Sequence, residues 1–283
     1  IGSGDGGKLT IVEPAPAKLN LALHVRRRRD DGYHELETLF AFVADGDTVT
    51  LSDGAGFGVE GPFADALAGE GDNLVTRAAA KFAEMFGTGG TGQITLTKRL
   101  PVASGLGGGS ADAAATLRLL ARREGVAIDD PRLFDCADAL GSDVPACLYS
   151  RTAIGRGRGE RLAWVNGAPG TPVLLVNPGV AVSTAEVFAR WDGIDRGPLG
   201  EGELLAAAKA GRNDLEPPAL AVAPEIGAAL ALLGGQAGAT LTRMSGSGAT
   251  CFALFDDIAA RDHAAAAVRQ AQPSWWCLET VLS

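Results

Sequence analysis

The sequence predicts an α+β protein of two lobes, and three observations carry that expectation. Strand-like and helix-like segments mix without the strict βαβ alternation of a doubly wound sheet. The 283 residues are enough for one or two domains, since single units usually run to ~100–200 residues. Hydrophobic residues at 46% and charged residues at 21% are ordinary globular usage, so a sizeable core can form.

The elements follow in order. Residues 10–25 open with an apolar run interrupted by Pro14 and Pro16, and Leu19, Leu21 and Leu23 then alternate as in a strand. Residues 26–32 are polar and predict a loop, followed by a strand at "YHELETLFAFV" and another at "GDTVTLSDG". Residues 73–86 repeat apolar positions every three or four and predict a helix. "QITLTKRLP" alternates and stops at Pro101 as a strand should. Residues 110–123, rich in Ala, Leu and Arg, predict a helix. Another helix is expected at 129–140, then the turn "GSDVP" and a short strand "ACLYS". "PVLLVNPG" reads as a buried strand, 183–191 as a hydroxyl-capped helix, and "GRNDLEPPAL" as a loop with two prolines. A helix at 224–233, two strands around the turn in "ATLTRMSGSGATCFALF", a helix at "DIAARDHAAAAVRQ" and a closing strand at 275–282 complete the chain. The lobes are expected at 9–160 and 161–283, with the final strand free to return to the first lobe.

Composition excludes several classes. A net charge of −9 argues against a general nucleic-acid face, which needs a basic surface. Cys136, Cys147, Cys251 and Cys277 are far apart, form no metal-binding spacing, and read as free thiols in the reducing cytoplasm. No apolar run approaches the ~20 residues of a membrane-spanning helix. Residues 1–8 are glycine-rich, lack a basic-then-apolar signal pattern and read as a disordered leader.

"LPVASGLGGGSADAA" carries most of the functional signal. Gly105, Gly107, Gly108 and Gly109 let the backbone approach a ligand, and a helix follows whose unpaired N–H groups and positive dipole end suit an anion. No lysine ends the run, so it is not a Walker A loop. Ser110 stands where a dinucleotide fingerprint counted from Gly105 needs glycine. By itself the segment is equally a flexible turn before a helix.

Three separated motifs together resemble the GHMP kinase superfamily: "PAKLNLAL", "LPVASGLGGGSADAA" and "MSGSGATCFALF". Within it, "PAKLNLALHVRRRRDDGYHELETLF" and "GSDVP" are similar to the members that phosphorylate the 2-hydroxyl of 4-diphosphocytidyl-2-C-methyl-D-erythritol in non-mevalonate isoprenoid biosynthesis. The likeness covers nearly the whole chain from about Val12. It implies a two-lobed α+β fold: an N-terminal lobe like the second domain of ribosomal protein S5, and a C-terminal α+β lobe. It also implies ATP as co-substrate, Mg²⁺, a small-molecule alcohol as acceptor, and no nucleic-acid or membrane partner. Whether the protein is a monomer or a homodimer stays open. The alternatives are a GHMP kinase for homoserine or mevalonate, or a non-catalytic nucleotide or metabolite sensor on the same fold.

The resemblance also implies roles. Asp143 is the carboxylate that receives the proton of the attacking hydroxyl, and Lys18 is its cationic partner. The loop, comprising Pro101, Val102, Ala103, Ser104, Gly105, Leu106, Gly107, Gly108, Gly109, Ser110 and Ala111, takes the phosphates of ATP, with Asn73 and Lys98 near the base. Asn20, Tyr33 and His34 contact the diphosphocytidyl substrate, flat rings suiting a pyrimidine. Thr184 and Phe188 join the same pocket. Gly246, Ser247 and Gly248 sit beside the loop and support the diphosphate. Relatives carry a metal-binding serine where this chain has Gly109. Ser110 is therefore the candidate ligand, with water and phosphates the alternative. Arg26, Arg27, Arg28 and Arg29 read as a solvated hairpin face or as a field steering two anionic ligands.

Overall fold

Apolar alternation over the first fifty residues builds one long antiparallel hairpin, β1 (Thr10–Arg28) with β2 (His34–Ser52). The computed structural model describes residues 10–67, 73–89 and 92–283; the glycine-rich segment 1–8, read as a leader, lies outside them. The strands are longer than expected. β1 runs through Arg28, and the two strands expected between residues 33 and 54 are one. The arginines stay in the ladder because carboxylates face them across it: Arg27 pairs in register with Glu35, and Arg26 reaches Glu37 at 3.4 Å.

β2 is the central strand. β1 covers one edge. The other is shared by β4 (Gln93–Thr97), opposite residues 48–52, and β5 (Ala153–Gly157), opposite residues 36–40. β3 (Gly56–Glu60) adds parallel to β4, and β6 (Arg161–Trp164) antiparallel to β5. Helices α1 (Leu74–Phe86), α2 (Gly108–Glu124), α3 (Pro131–Leu140) and α4 (Val144–Tyr149) complete this lobe. The alanines of α2 let it lie close on the hairpin, over a core containing Phe40, Phe42, Phe82 and Leu117. Burying such a side chain contributes ~1.5–3 kcal/mol. The segment read as a strand, "ACLYS", is helix α4. Pro145 in its first turn suits a helix start, and a six-residue apolar run has no period that tells the two apart.

The second sheet runs β10 (Trp276–Val281), β7 (Pro172–Asn177), β9 (Cys251–Phe255), β8 (Ala239–Met244), all antiparallel. With it go α5 (Thr184–Ala189), α6 (Leu204–Ala210), α7 (Glu216–Val222), α8 (Glu225–Gly234) and α9 (Ile258–Ala271). α7 lies in the segment read as a loop; Pro217 and Pro218 fall in its first turn, where no intrahelical donor is required. β6 belongs to the first sheet, so the sheets part between Trp164 and Pro172. Past β10, Leu282 bridges Val43 and the Ser283 N–H donates to the Phe42 carbonyl. Among the described residues no helix is long and apolar enough to cross a membrane.

The outer edge of β1 is the seam that places the site. Three bulges turn its backbone groups toward other partners. The Lys18 N–H donates to the Leu106 carbonyl at 2.9 Å and the Leu23 N–H to the Arg212 carbonyl at 2.8 Å. The Asn20 N–H donates to Ser245 Oγ and the Val25 N–H to Asp214 Oδ2. One edge strand thus has its donors satisfied by the glycine loop and by the second lobe, and both are fixed against it.

Candidate active site

A cleft of about 1060 Å³ opens between the lobes along this seam. Its floor is the glycine loop at the start of α2. Gly107 holds the N-cap position of that helix with φ +63° and no side chain to cap it, so the first N–H groups face the cleft. A Cβ on Gly107 would stand 2.9 Å from Lys18 Cε, so its left-handed backbone and its close approach both demand glycine. The second glycine turn braces the loop from behind: Ser245 Oγ donates to the Gly105 carbonyl at 3.0 Å and the Thr250 N–H to the Ser104 carbonyl. Asn213 holds that turn in place, its amide donating to the carbonyls of Met244 and Gly246, both at 2.8 Å.

Beside the loop, Lys18 Nζ lies 2.9 Å from Asp143 Oδ2 and donates to Asn20 Oδ1 at 2.7 Å. Asn20 in turn donates to Thr38, whose hydroxyl donates to the Ala22 carbonyl. The lysine is 3% exposed and the aspartate 32%. Asp143 occupies the N-cap position of α4 yet makes no capping hydrogen bond, so its carboxylate is left to the cleft. The chain of hydrogen bonds fixes the ammonium, and the ammonium fixes the carboxylate.

The far end of the cleft is aromatic. The His34 ring packs 4.8 Å from Phe188 and edge-on against Trp191 at 5.7 Å. Burial, and then the charge of Arg28, hold the His34 imidazolium below its usual pKa, so the ring is neutral at neutral pH. Its Nε2 is buried with no partner among the described residues, a polar edge that a ligand can satisfy. Tyr33 is 53% exposed, with the Arg158 guanidinium 5.1 Å from its ring centre. Thr184 and Ser247 share a hydrogen bond at 2.8 Å between their hydroxyls. The arginine run divides. Arg26 pairs with Glu37 and Asp195, Arg27 approaches Glu35, and Arg29 pairs with Asp31 and Glu35. Arg28 lines the cleft and has no carboxylate partner among the described residues.

Most of the expected residues meet in this one cleft: Lys18, Asn20, Tyr33, His34, Asp143, Thr184, Phe188, Gly246, Ser247 and the loop from Ala103 to Ser110 other than Leu106. Others lie off its wall. Leu106 and Ala111 are core residues, and Pro101 and Val102 turn away from it. Gly248 packs inward against Met244 and Ile226. The Asn73 carboxamide accepts from the N–H groups of Val75 and Thr76 as the cap of α1. Lys98, expected near the base, is 2% exposed and sealed behind the loop. A lysine after a strand reads as a surface charge; here Asp47 and Asp112 hold it inside. Sequence reasoning also missed Thr38, Arg158, Trp191, Asn213 and Ser245, and named Arg28 only as one of a run of four. Asp112, a lone charge among the alanines of residues 111–115, carried a signal.

A cleft between two α+β lobes, in which bare helix-start amides meet a lysine-held carboxylate, defines a small-molecule phosphotransferase. The family model described as GHMP kinases N terminal domain matches residues 73–151, and GHMP kinases C terminal matches residues 194–274. The chain is 57% identical to 4-diphosphocytidyl-2-C-methyl-D-erythritol kinase of Rhizorhabdus wittichii, over 96% of this chain and 94% of that one. It is 51% identical to the protein of that name from Novosphingobium aromaticivorans, over 96% and 93%. A crystal structure of 4-(cytidine 5'-diphospho)-2C-methyl-D-erythritol kinase superposes with a TM-score of 0.80 at 37% identity, covering 97% of this chain and all of that one. Homoserine kinase from Cytophaga hutchinsonii shares the fold, with a TM-score of 0.71 at 19% identity over 100% of this chain and 96% of that one. This chain belongs to the GHMP kinases and, within them, to the 4-diphosphocytidyl-2-C-methyl-D-erythritol kinases.

Proposed function

We propose that this chain transfers the γ-phosphoryl group of ATP to the 2-hydroxyl of 4-diphosphocytidyl-2-C-methyl-D-erythritol. The observation that carries the reading is the Lys18–Asp143 pair at the lip of the glycine loop. Phosphoryl transfer needs positioning, charge neutralisation and a group to orient the nucleophile. The loop amides bind the triphosphate and Asp143 accepts the hydrogen bond of the acceptor hydroxyl. As the new O–P bond forms and the bond to the β-phosphate breaks, the hydroxyl proton passes to Asp143 and ADP leaves. Lys18 keeps the carboxylate oriented and offsets charge developing on the transferred group.

The donors on the wall fit Mg²⁺. The Ser110 hydroxyl and the Asp143 carboxylate are hard oxygens, and among the described residues no group of three His, Cys, Asp or Glu side chains could hold a metal ion. That suits an ion carried largely by phosphate oxygens and water, with Ser110 as a protein ligand. When bound, Mg²⁺ neutralises charge on the β- and γ-phosphates.

At the other end the neutral His34 offers its free Nε2 to the edge of the cytosine, and Tyr33 and Phe188 supply flat faces. Arg28 meets the anionic substrate, which narrows the steering role of the arginine run to one residue. The free thiols, three of them buried, suit the reducing cytoplasm. An ATP-consumption assay comparing the diphosphocytidyl alcohol with homoserine and mevalonate tests the reading. Turnover is expected on the first alone; turnover on mevalonate or homoserine without it overturns the assignment.

A further inference from the structure

Behind the phosphate loop lies a second lysine–carboxylate cluster that does not reach the cleft. Lys98 directly follows β4, and its ammonium donates to Asp47 Oδ2 at 2.5 Å and to Asp112 Oδ2 at 2.9 Å. The three side chains are 3%, 0% and 3% exposed, and none lies on the cleft wall. Asp47 comes from β2 and Asp112 from the second turn of α2. Asp47 Oδ1 also accepts from the N–H groups of Arg99 at 2.5 Å and Leu100 at 2.9 Å, the last two residues before the loop. The cluster therefore grips both ends of the loop: the backbone that enters it and the helix that leaves it. Between those ends Gly108 rests on the ammonium, since a Cβ there would stand 3.0 Å from Lys98 Nζ.

Electrostatic attraction of the triphosphate does not explain this arrangement. Two carboxylates surround one ammonium, so the cluster adds no net positive charge. Stability is a poor explanation too. Asp112 Oδ1 is buried with no partner among the described residues, and apolar side chains of the same volume would join β2, β4 and α2 without that cost. What apolar side chains cannot do is present one fixed acceptor to two successive backbone N–H groups while holding a donor under a glycine. We propose that Lys98 and Asp47 are positioning residues that set the backbone of the phosphate loop for the triphosphate, acting through Arg99, Leu100 and Gly108 without touching the nucleotide. The inference rests on the kinase reading of the cleft.

The test compares Lys98→Met, Asp47→Asn and Asp112→Asn in the full chain. Each variant is followed by thermal melting, by binding of a non-hydrolysable ATP analogue without acceptor, and by both KM values. Small displacements of a positioned group lower performance steeply, so Lys98→Met and Asp47→Asn should weaken nucleotide binding and raise the ATP KM by about tenfold or more. The KM for the alcohol should stay within about twofold, because Tyr33, His34, Thr184 and Phe188 at the alcohol end make no hydrogen bond to the cluster. Asp112→Asn keeps an oxygen for the ammonium and should stay within about twofold of the parent for both. Should the single variants not fold, Asp47→Leu/Lys98→Met removes the acceptor and the ammonium together and leaves only Asp112, which can stay protonated, and the same loss is expected. Unchanged analogue binding in a folded Lys98→Met, Asp47→Asn or double variant overturns the inference. So does an equal rise in both KM values, damage from Asp112→Asn as large as from Asp47→Asn, or failure of every variant to fold. A parent protein that binds no ATP analogue would instead sink the kinase reading itself.

Discussion

Two lysines flank the glycine loop, and the difference between them shows how one loop is both held and used. In front, Lys18 meets a carboxylate that is 32% exposed, and Gly107 makes room for it. Behind, Lys98 meets two carboxylates that solvent scarcely reaches, and Gly108 makes room for that. The front pair leaves one acidic group open to the cleft. The rear cluster leaves none: three of its four carboxylate oxygens go to backbone N–H groups and to the ammonium, and the fourth, Asp112 Oδ1, is buried. Lysine and aspartate thus do different work according to whether water and substrate can reach them, and adjacent glycines let both clusters lie against the same few atoms of main chain.

The sharpest way to break the contrast is to remove the open carboxylate. Asp143→Asn should lower kcat by about 10²–10⁴-fold while calorimetric binding of an ATP analogue is kept. Persisting turnover would show that the carboxylate only lines the cleft. The two glycines come next. Gly107→Ala should lower kcat/KM for ATP by roughly a hundredfold or more, because it strains a φ of +63° and drives a methyl into Lys18. Gly108→Ala, which can push the end of a lysine side chain, should cost less, and steady-state kinetics on both variants will rank them.

Smaller effects sharpen the picture of the cleft's far end and of the rear cluster. Arg28→Gln should raise the KM for the diphosphocytidyl alcohol several-fold and blunt its salt dependence, whereas Arg27→Gln, already facing Glu35, should change neither. The smallest effect is on stability. Burial pushes the Asp112 carboxyl up to about 7, with the Lys98 charge opposing the shift. Between about pH 4 and 7 the folded protein then keeps a proton that the unfolded chain has released, so this group lowers stability as pH rises through that window and no further above it. Melting curves of Asp112→Asn should gain on the parent as pH rises from about 4 to 7 and run parallel beyond.

Much of this was legible in the chain because it is local. Glycines before an alanine-rich helix, a lysine and an asparagine two residues apart on a strand, and an aspartate before Val-Pro mark their sites within a few positions. Short elements were less legible. α4 and α7 took their form from packing and from prolines that fit a first turn as readily as a loop. Nor does any local pattern say that Asn213 holds the turn at Met244 and Gly246 across some thirty residues of chain, or that Trp191 meets His34.

The sequence by itself determined the two-lobed α+β class, the glycine loop that opens a helix, the family, and which lysine and which aspartate meet. Only the tertiary structure decided which charges face the cleft and which are walled off. It left Arg28 open while its neighbours were paired, and it turned Lys98 inward onto Asp47 and Asp112. The physical reason is that the role of a charged side chain follows from what shares its space and whether water reaches it. Distant segments set both: β2 brings Asp47 to Lys98, 51 residues along the chain, and the strand β1 carries the seam on which the two lobes close.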